Sequence, residues 1–161
     1  MRLGHCRLNG LSGHEAGRKL LARLYREETG EELPDILITD RGKPYFADGK
    51  FYFSISHTRN HVFCVLSENN VGLDAEELDR KVHLKLADKI FSPEERKQYD
   101  AAPDKSRAFL TFWVLKEAEA KRTGEGLRIY PDHTNFTLDD ARVQEIDGCL
   151  VAVLEENNNA F

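Results

Sequence analysis

Between residues 14 and 29, Ala16, Leu20, Leu21 and Leu24 recur at the spacing of one helix face, with charged residues between them. Ser12 stands ahead of that run as an N-cap and Gly30 stands behind it as a stop, so the pattern predicts a helix over His14–Thr29. The period then shortens. Ile36–Thr39, Phe51–Ser56, His61–Leu66 and Val71–Asp74 are short runs rich in apolar, aromatic and β-branched residues, and read as strands. Arg41–Pro44 and Asn69–Asn70 are the turns among them.

The second half repeats helix followed by strands. Ser92-Pro93-Glu94-Glu95 is a helix start, with serine capping, proline at the first helical position and Glu95 closing a capping box. Lys105–Arg122 is the longest helical pattern and stops at Thr123-Gly124. Asn135–Leu138, Ala141–Ile146 and Cys149–Leu154 read as strands, the last two joined by a two-residue turn at Asp147-Gly148. The asparagine-rich end, 155–161, reads as a frayed tail. The expected organisation is α+β: two similar subdomains, 1–70 and 71–161, each a small antiparallel sheet packed on a long helix, joined as one unit.

Composition narrows the class. A chain of 161 residues buries one good core or two small ones, and 40% hydrophobic with 32% charged residues is ordinary for a globular protein. No apolar run approaches the ~20 residues that span a bilayer, and no secretory signal is visible at the start. Cys6, Cys64 and Cys149 are odd in number and far apart, which disfavours a disulfide framework and points to a reducing cytoplasm. A net charge of −5 argues against nucleic acid as a partner. Locally the sign reverses. Arg80, Lys81, His83, Lys85, Lys89, Arg96, Lys97, Lys105 and Arg107 form a basic stretch, either solvated helix faces or a docking surface for an acidic partner.

Asp74 and Glu76 stand two apart on a strand and so share one side. By spacing alone an acidic loop is the better reading, since Glu77 and Asp79 follow. Glu117 weighs on that choice, because Leu110, Trp113 and Val114 surround it on the helical wheel and a carboxylate in an apolar sector needs a partner. Oxygen ligands of this kind suit Mg²⁺ (or Mn²⁺) shared with phosphate. Lys121, one turn beyond Glu117, is either its ion-pair partner or a cation for phosphate. Lys116 points elsewhere and reads as a surface residue. Lys43, Ser56 and His57 are further candidates for anion contact, though a histidine at a strand end is commonly structural. Neither a Ser-His-Asp arrangement nor a Gly-Lys-Ser/Thr phosphate loop is present. Gly124-Glu125-Gly126 is accounted for by a helix end and turn.

Six short motifs nevertheless fall in one order. They are Gly42-Lys43-Pro44, Phe53-Ser54-Ile55-Ser56-His57, Gly72-Leu73-Asp74-Ala75-Glu76, Phe91-Ser92-Pro93-Glu94-Glu95, Trp113 through Lys121, and Gly124-Glu125-Gly126-Leu127. In that order, from about residue 14 to 154, the chain resembles the 4′-phosphopantetheinyl transferases, of the surfactin-synthetase-activating (Sfp) type. It departs at Ser54, where the family usually has asparagine.

The resemblance implies a pseudo-twofold α+β fold with coenzyme A between the halves, and a monomer. It implies Asp74, Glu76 and Glu117 as Mg²⁺ ligands, Arg18, Lys43, Ser56, His57 and Lys121 as coenzyme A contacts, and Glu117, Lys121 and His57 as the catalytic set. Family members carry further basic residues ahead of the Arg18 helix for the 3′-phosphate; here either Arg2, Arg7 or Lys19 takes that part or coenzyme A binds more weakly. The implied reaction moves the phosphopantetheine arm of coenzyme A to a serine of an apo acyl, polyketide or peptidyl carrier protein. Adenosine 3′,5′-bisphosphate leaves, and the proton acceptor is left open between Glu117 and a metal-bound water. The alternative is a protein that binds coenzyme A or a carrier protein without turnover.

Overall fold

Ser12 fixes where the first helix begins. In the computed structural model, which describes residues 1–126 and 135–157, its hydroxyl accepts from Glu15 N and the Glu15 carboxylate answers at the Ser12 amide. Helix α1 then runs Gly13–Thr29 and ends on Gly30 in the left-handed conformation. Its buried face, Ala16, Gly17, Leu20, Leu21, Leu24 and Tyr25, covers a three-stranded antiparallel sheet. That sheet is ordered β1 (Arg2–Arg7), β5 (His61–Ser67), β4 (Tyr52–His57). A separate hairpin, β2 (Ile36–Ile38) with β3 (Pro44–Phe46), precedes β4 in the chain and packs Phe46 into the same core.

Strand β6 (Val71–Glu77) opens a second three-stranded antiparallel sheet, ordered β6, β8 (Cys149–Glu155), β7 (Val143–Ile146). A single 3₁₀ turn at Leu84–Leu86 and a short helix, α2 (Ala87–Ile90), follow β6. Helix α3 (Pro93–Ala101) starts in the capping box that Ser92 and Glu95 predict. Helix α4 (Lys105–Thr123) is capped by Asp104 and ends on left-handed Gly124. It lies directly on β6 and β8. Gly72 makes that approach possible, since a Cβ there would stand 1.9 Å from the Ala118 carbonyl oxygen.

The two sheets also share a core. Phe63 and Val65 of β5 meet Leu73 and Ala75 of β6 and Val151 and Val153 of β8. Strands β5, β6 and β8 are therefore covered on both faces, which is why β5 and β8 read as nearly continuous apolar runs, while β6 alternates apolar residues with Asp74 and Glu76. Beside this core β4 and β6 run in the same direction, bridged by side chains. Leu73 N donates to Ser54 Oγ at 3.0 Å and Ala75 N donates to Ser56 Oγ at 3.2 Å. Serines two apart on β4 reach the same neighbour because strand side chains alternate. Ser54 is thus an acceptor in the seam.

Several expectations are corrected. Residues 135–138 are not a strand. Gln98 of α3 takes over the pairing, donating to the Phe136 carbonyl and accepting from Leu138 N, so side-chain amide groups replace a ladder. Strand β6 extends beyond Asp74 to Glu77, because β8 pairs with it through Glu77↔Cys149. Strand β1, with little apolar pattern of its own, is held by β5, and Gly4 lets Leu20 and Leu24 close over it. Pro44 opens β3 instead of ending a turn. The Asp147-Gly148 turn is as expected, both residues having positive φ as its type requires. Of the expected tail, Glu155 ends β8 and 158–161 lie outside the described residues, as does Leu127. The three cysteines are free thiols. No helix among the described residues is long and apolar enough to cross a membrane.

Candidate active site

Three elements bring the singled-out residues together: the ends of β4 and β6 and the exposed-end turns of α4. Asp74 sits where they meet, only 6% exposed. One of its oxygens, Oδ1, accepts from Lys121 Nζ at 2.8 Å and from Ser56 Oγ at 3.1 Å. The other, Oδ2, is buried with no hydrogen-bond partner among the described residues. Such an orphaned carboxylate oxygen is costly unless something binds it. Burial raises the Asp74 pKa above the ordinary carboxylate range, with Lys121 and Ser56 opposing.

Glu76 and Glu117 feel the same field. Burial raises Glu76, Arg80 opposes, and the Asp74 charge adds to the rise. Burial raises Glu117 as well, reinforced by Asp74 and opposed by Lys121 and Arg80. The Glu76 carboxylate is ion-paired with Arg80. The three acids are thus electrostatic neighbours, yet among the described residues no three acidic, histidine or cysteine side chains form a ready cage for a metal. Lys121 and Arg80 hold two of them instead. The chemistry of the donors still fits Mg²⁺: they are hard carboxylate oxygens, and Asp74 Oδ2 is buried without a partner among the described residues. That ion commonly keeps several waters and shares substrate phosphates rather than filling its shell from protein.

A cleft of about 300 Å³ lies between the two halves, lined by Lys43 and Pro44 of the hairpin, Ser54 and Ile55 of β4, and Glu117 and Lys121 of α4. A wider groove of about 610 Å³ is lined by His57, Arg59, Glu76, Arg80 and Lys81. Asp74 links them, bonded to Lys121 of the cleft and two residues from Glu76 of the groove.

The expected phosphate contacts therefore occupy different settings. Lys43 lines the cleft, with its ammonium on the Asn70 side chain (2.8 Å) and the Arg122 carbonyl at the end of α4. Burial, then the Arg122 charge, lowers its pKa. Ser56 is buried, and its hydroxyl is used on Asp74 and Ala75 N. His57 is exposed, its ring against Gly13 at the start of α1, where a Cβ would stand 2.3 Å from it. Arg18 is half-buried on α1, beside Gly17, which packs on Ile55 of the cleft wall.

Lys116 is a correction. It is 5% exposed, not a surface residue, and its ammonium lies 2.9 Å from Glu95, which is fully buried. Glu95 also accepts from Ser92 N at 2.9 Å and Phe136 N at 3.3 Å. The signal was available: Phe109, Phe112 and Ala120 flank position 116 on the wheel, and all three are buried. Arg80, one of the basic stretch in the sequence, belongs to the site, because the turn after β6 brings its guanidinium onto Glu76.

The two halves meet over a cleft that holds Glu117, Lys43 and Lys121, with Asp74 bonded to Lys121, so both cations and acids border it. The family model described as the 4′-phosphopantetheinyl transferase superfamily matches residues 70–156, more than half of the chain, and the chain belongs to that superfamily. It is 32% identical over 122 residues to the 4′-phosphopantetheinyl transferase HetI of Nostoc sp., covering 70% of this chain and 52% of that protein. It is 35% identical over 114 residues to the 4′-phosphopantetheinyl transferase AcpT of Escherichia coli strain K12, covering 68% and 56%. With the 4′-phosphopantetheinyl transferase gsp of Aneurinibacillus migulanus the identity is 31% over 107 residues, covering 65% and 44%. The chain thus spans about half the length of these curated relatives.

Proposed function

We propose that this protein transfers the 4′-phosphopantetheine arm of coenzyme A to a serine of an apo carrier protein, as an Sfp-type enzyme with two pseudo-twofold halves. Support for the halves comes from their plan: one three-stranded antiparallel sheet with one long helix in each. The observation that carries the reaction is the Asp74 carboxylate, with one oxygen on Lys121 and Ser56 and the other buried and unpartnered beside the interlobe cleft.

Asp74, Glu76 and Glu117 would hold Mg²⁺, which when bound neutralises charge on the pyrophosphate of coenzyme A. Ser56 keeps Asp74 turned so that Oδ2 is available. Lys121, inside the cleft and bonded to Asp74, offers a cation to the pyrophosphate. Lys43 reaches the same phosphates by exchanging the Arg122 carbonyl for them, and Arg18 serves the nucleotide end. Glu117, whose pKa is raised by burial and the Asp74 charge, accepts the serine proton. The serine oxygen bonds to the phosphorus bearing the pantetheine arm, the pyrophosphate bridge breaks, and adenosine 3′,5′-bisphosphate leaves with the electron pair. His57 stabilises the leaving phosphate from the groove side. The basic stretch from Arg80 to Arg107 meets the carrier protein's acidic surface and makes the encounter salt-sensitive.

Mass spectrometry of candidate apo carrier proteins, incubated with this protein, coenzyme A and Mg²⁺, tests the reading. The expected result is gain of one phosphopantetheine on serine, abolished by a chelator. Unchanged carrier proteins across acyl, polyketide and peptidyl types would overturn it.

A further inference from the structure

Arg80 lies three residues past the end of β6, where the chain turns away from the sheet. Its guanidinium reaches back to the Glu76 carboxylate and stacks over the Trp113 ring, 5.7 Å from the centroid. Trp113 stands one turn before Glu117 on α4. Two nearby cations are engaged elsewhere: Arg59 pairs with Glu77 and Asp79, and Lys121 with Asp74. Arg80 is thus the cation on Glu76, approaching from the solvent side with its side chain 46% exposed. Lys121 neutralises Asp74 from within.

The chemistry of the pair makes it exchangeable. A guanidinium matches a carboxylate and an aromatic face well, but a half-exposed ion pair is weak. A divalent ion concentrates twice the charge on the same oxygens and competes directly. Stacking on Trp113 keeps the displaced guanidinium nearby without requiring Glu76.

We propose that Arg80 is a resident counter-ion of Glu76 that a divalent cation displaces when it binds the carboxylates. The inference rests on the metal reading above, and it assigns to Arg80 a role that the basic docking stretch does not require. In the metal-free protein Arg80 suppresses repulsion among Glu76, Asp74 and Glu117, and it lowers cation affinity until the ion arrives at sufficient concentration.

Titration of the full chain with Mn²⁺ in the absence of coenzyme A, with free ion read by electron paramagnetic resonance, tests this. Arg80→Gln is expected to bind Mn²⁺ about two- to fivefold more tightly than the wild type at low salt, the scale of a partly exposed ion pair. The gap narrows as ionic strength rises. Arg80→Lys, which keeps the charge but not the stacked fork, falls between. Circular dichroism identical to wild type shows that the exposed substitution leaves the fold alone. Equal or weaker Mn²⁺ binding by Arg80→Gln overturns the counter-ion role while leaving the metal reading intact. Absence of Mn²⁺ binding to the wild type and both variants overturns the two together.

Discussion

Lys116 Nζ lies 2.9 Å from the Glu95 carboxylate, and both side chains are sealed from solvent. Through Glu95 the pair ties the cap of α3, the middle of α4 and the amide of Phe136 into one junction. It sits one residue from Glu117, so the register of α4 that turns Glu117 and Lys121 to the cleft is fixed from the buried side.

Removing one member leaves the other charged and unpaired in the core. Lys116→Met is expected to cost about 3–5 kcal/mol in urea unfolding. The double variant Glu95→Gln/Lys116→Met is expected to recover part of that loss, because no buried charge remains. A single-variant loss under about 1 kcal/mol would show the pair to be solvated.

Gly72 tests the packing of β6 on α4. An alanine Cβ would stand 1.9 Å from the Ala118 carbonyl oxygen and 2.5 Å from Arg122 N, both backbone atoms that cannot turn aside. Gly72→Ala must push strand and helix apart, at about 1–3 kcal/mol or more. Thermal melting should show the loss, and transfer should fall with it because Asp74 and Lys121 separate. Wild-type melting would mean the elements are less closely packed than described.

Glu117→Gln preserves shape and removes charge. On the proposed reading, carrier-protein loading falls by about a hundredfold or more, while the melting temperature in a chelator stays level or rises. The rise is expected because the repulsion between Glu117 and Asp74, and the cost of burying the Glu117 charge, are gone. Normal loading by this variant would remove Glu117 from the mechanism.

The acids also predict a pH dependence. Burial raises Asp74, Glu76 and Glu117 in the folded protein above their unfolded values. The folded state then binds more protons, so the stability these groups contribute is present at low pH and declines as pH rises through their elevated pKa values. In a chelator, unfolding free energy measured from pH 4 toward 7 should fall more steeply for wild type than for Asp74→Asn. Mg²⁺ should flatten the wild-type slope. Parallel curves in the chelator would place Asp74 at an ordinary pKa.

The elements with a local signal were legible in the residues themselves. Ser12 and Glu15, Ser92 and Glu95, and the glycines at 30 and 124 mark helix ends through bonds within one turn, which any fold would preserve. Asp74, Glu76, Glu117 and Lys121 stood out because strand and helix periods put them on common sides. Strand β1 has no signal in the sequence and residues 135–138 carry a misleading one, because their backbone partners, β5 and Gln98, lie far away in sequence. Hydrogen bonding of that kind leaves no local pattern. Only the tertiary structure decided that Glu95 is the partner of Lys116, that Ser56 is bonded to Asp74, and that Arg80 holds Glu76. A charged or polar side chain takes its role from whichever partner folding brings within reach, and that distance is not written in the spacing of residues along the chain.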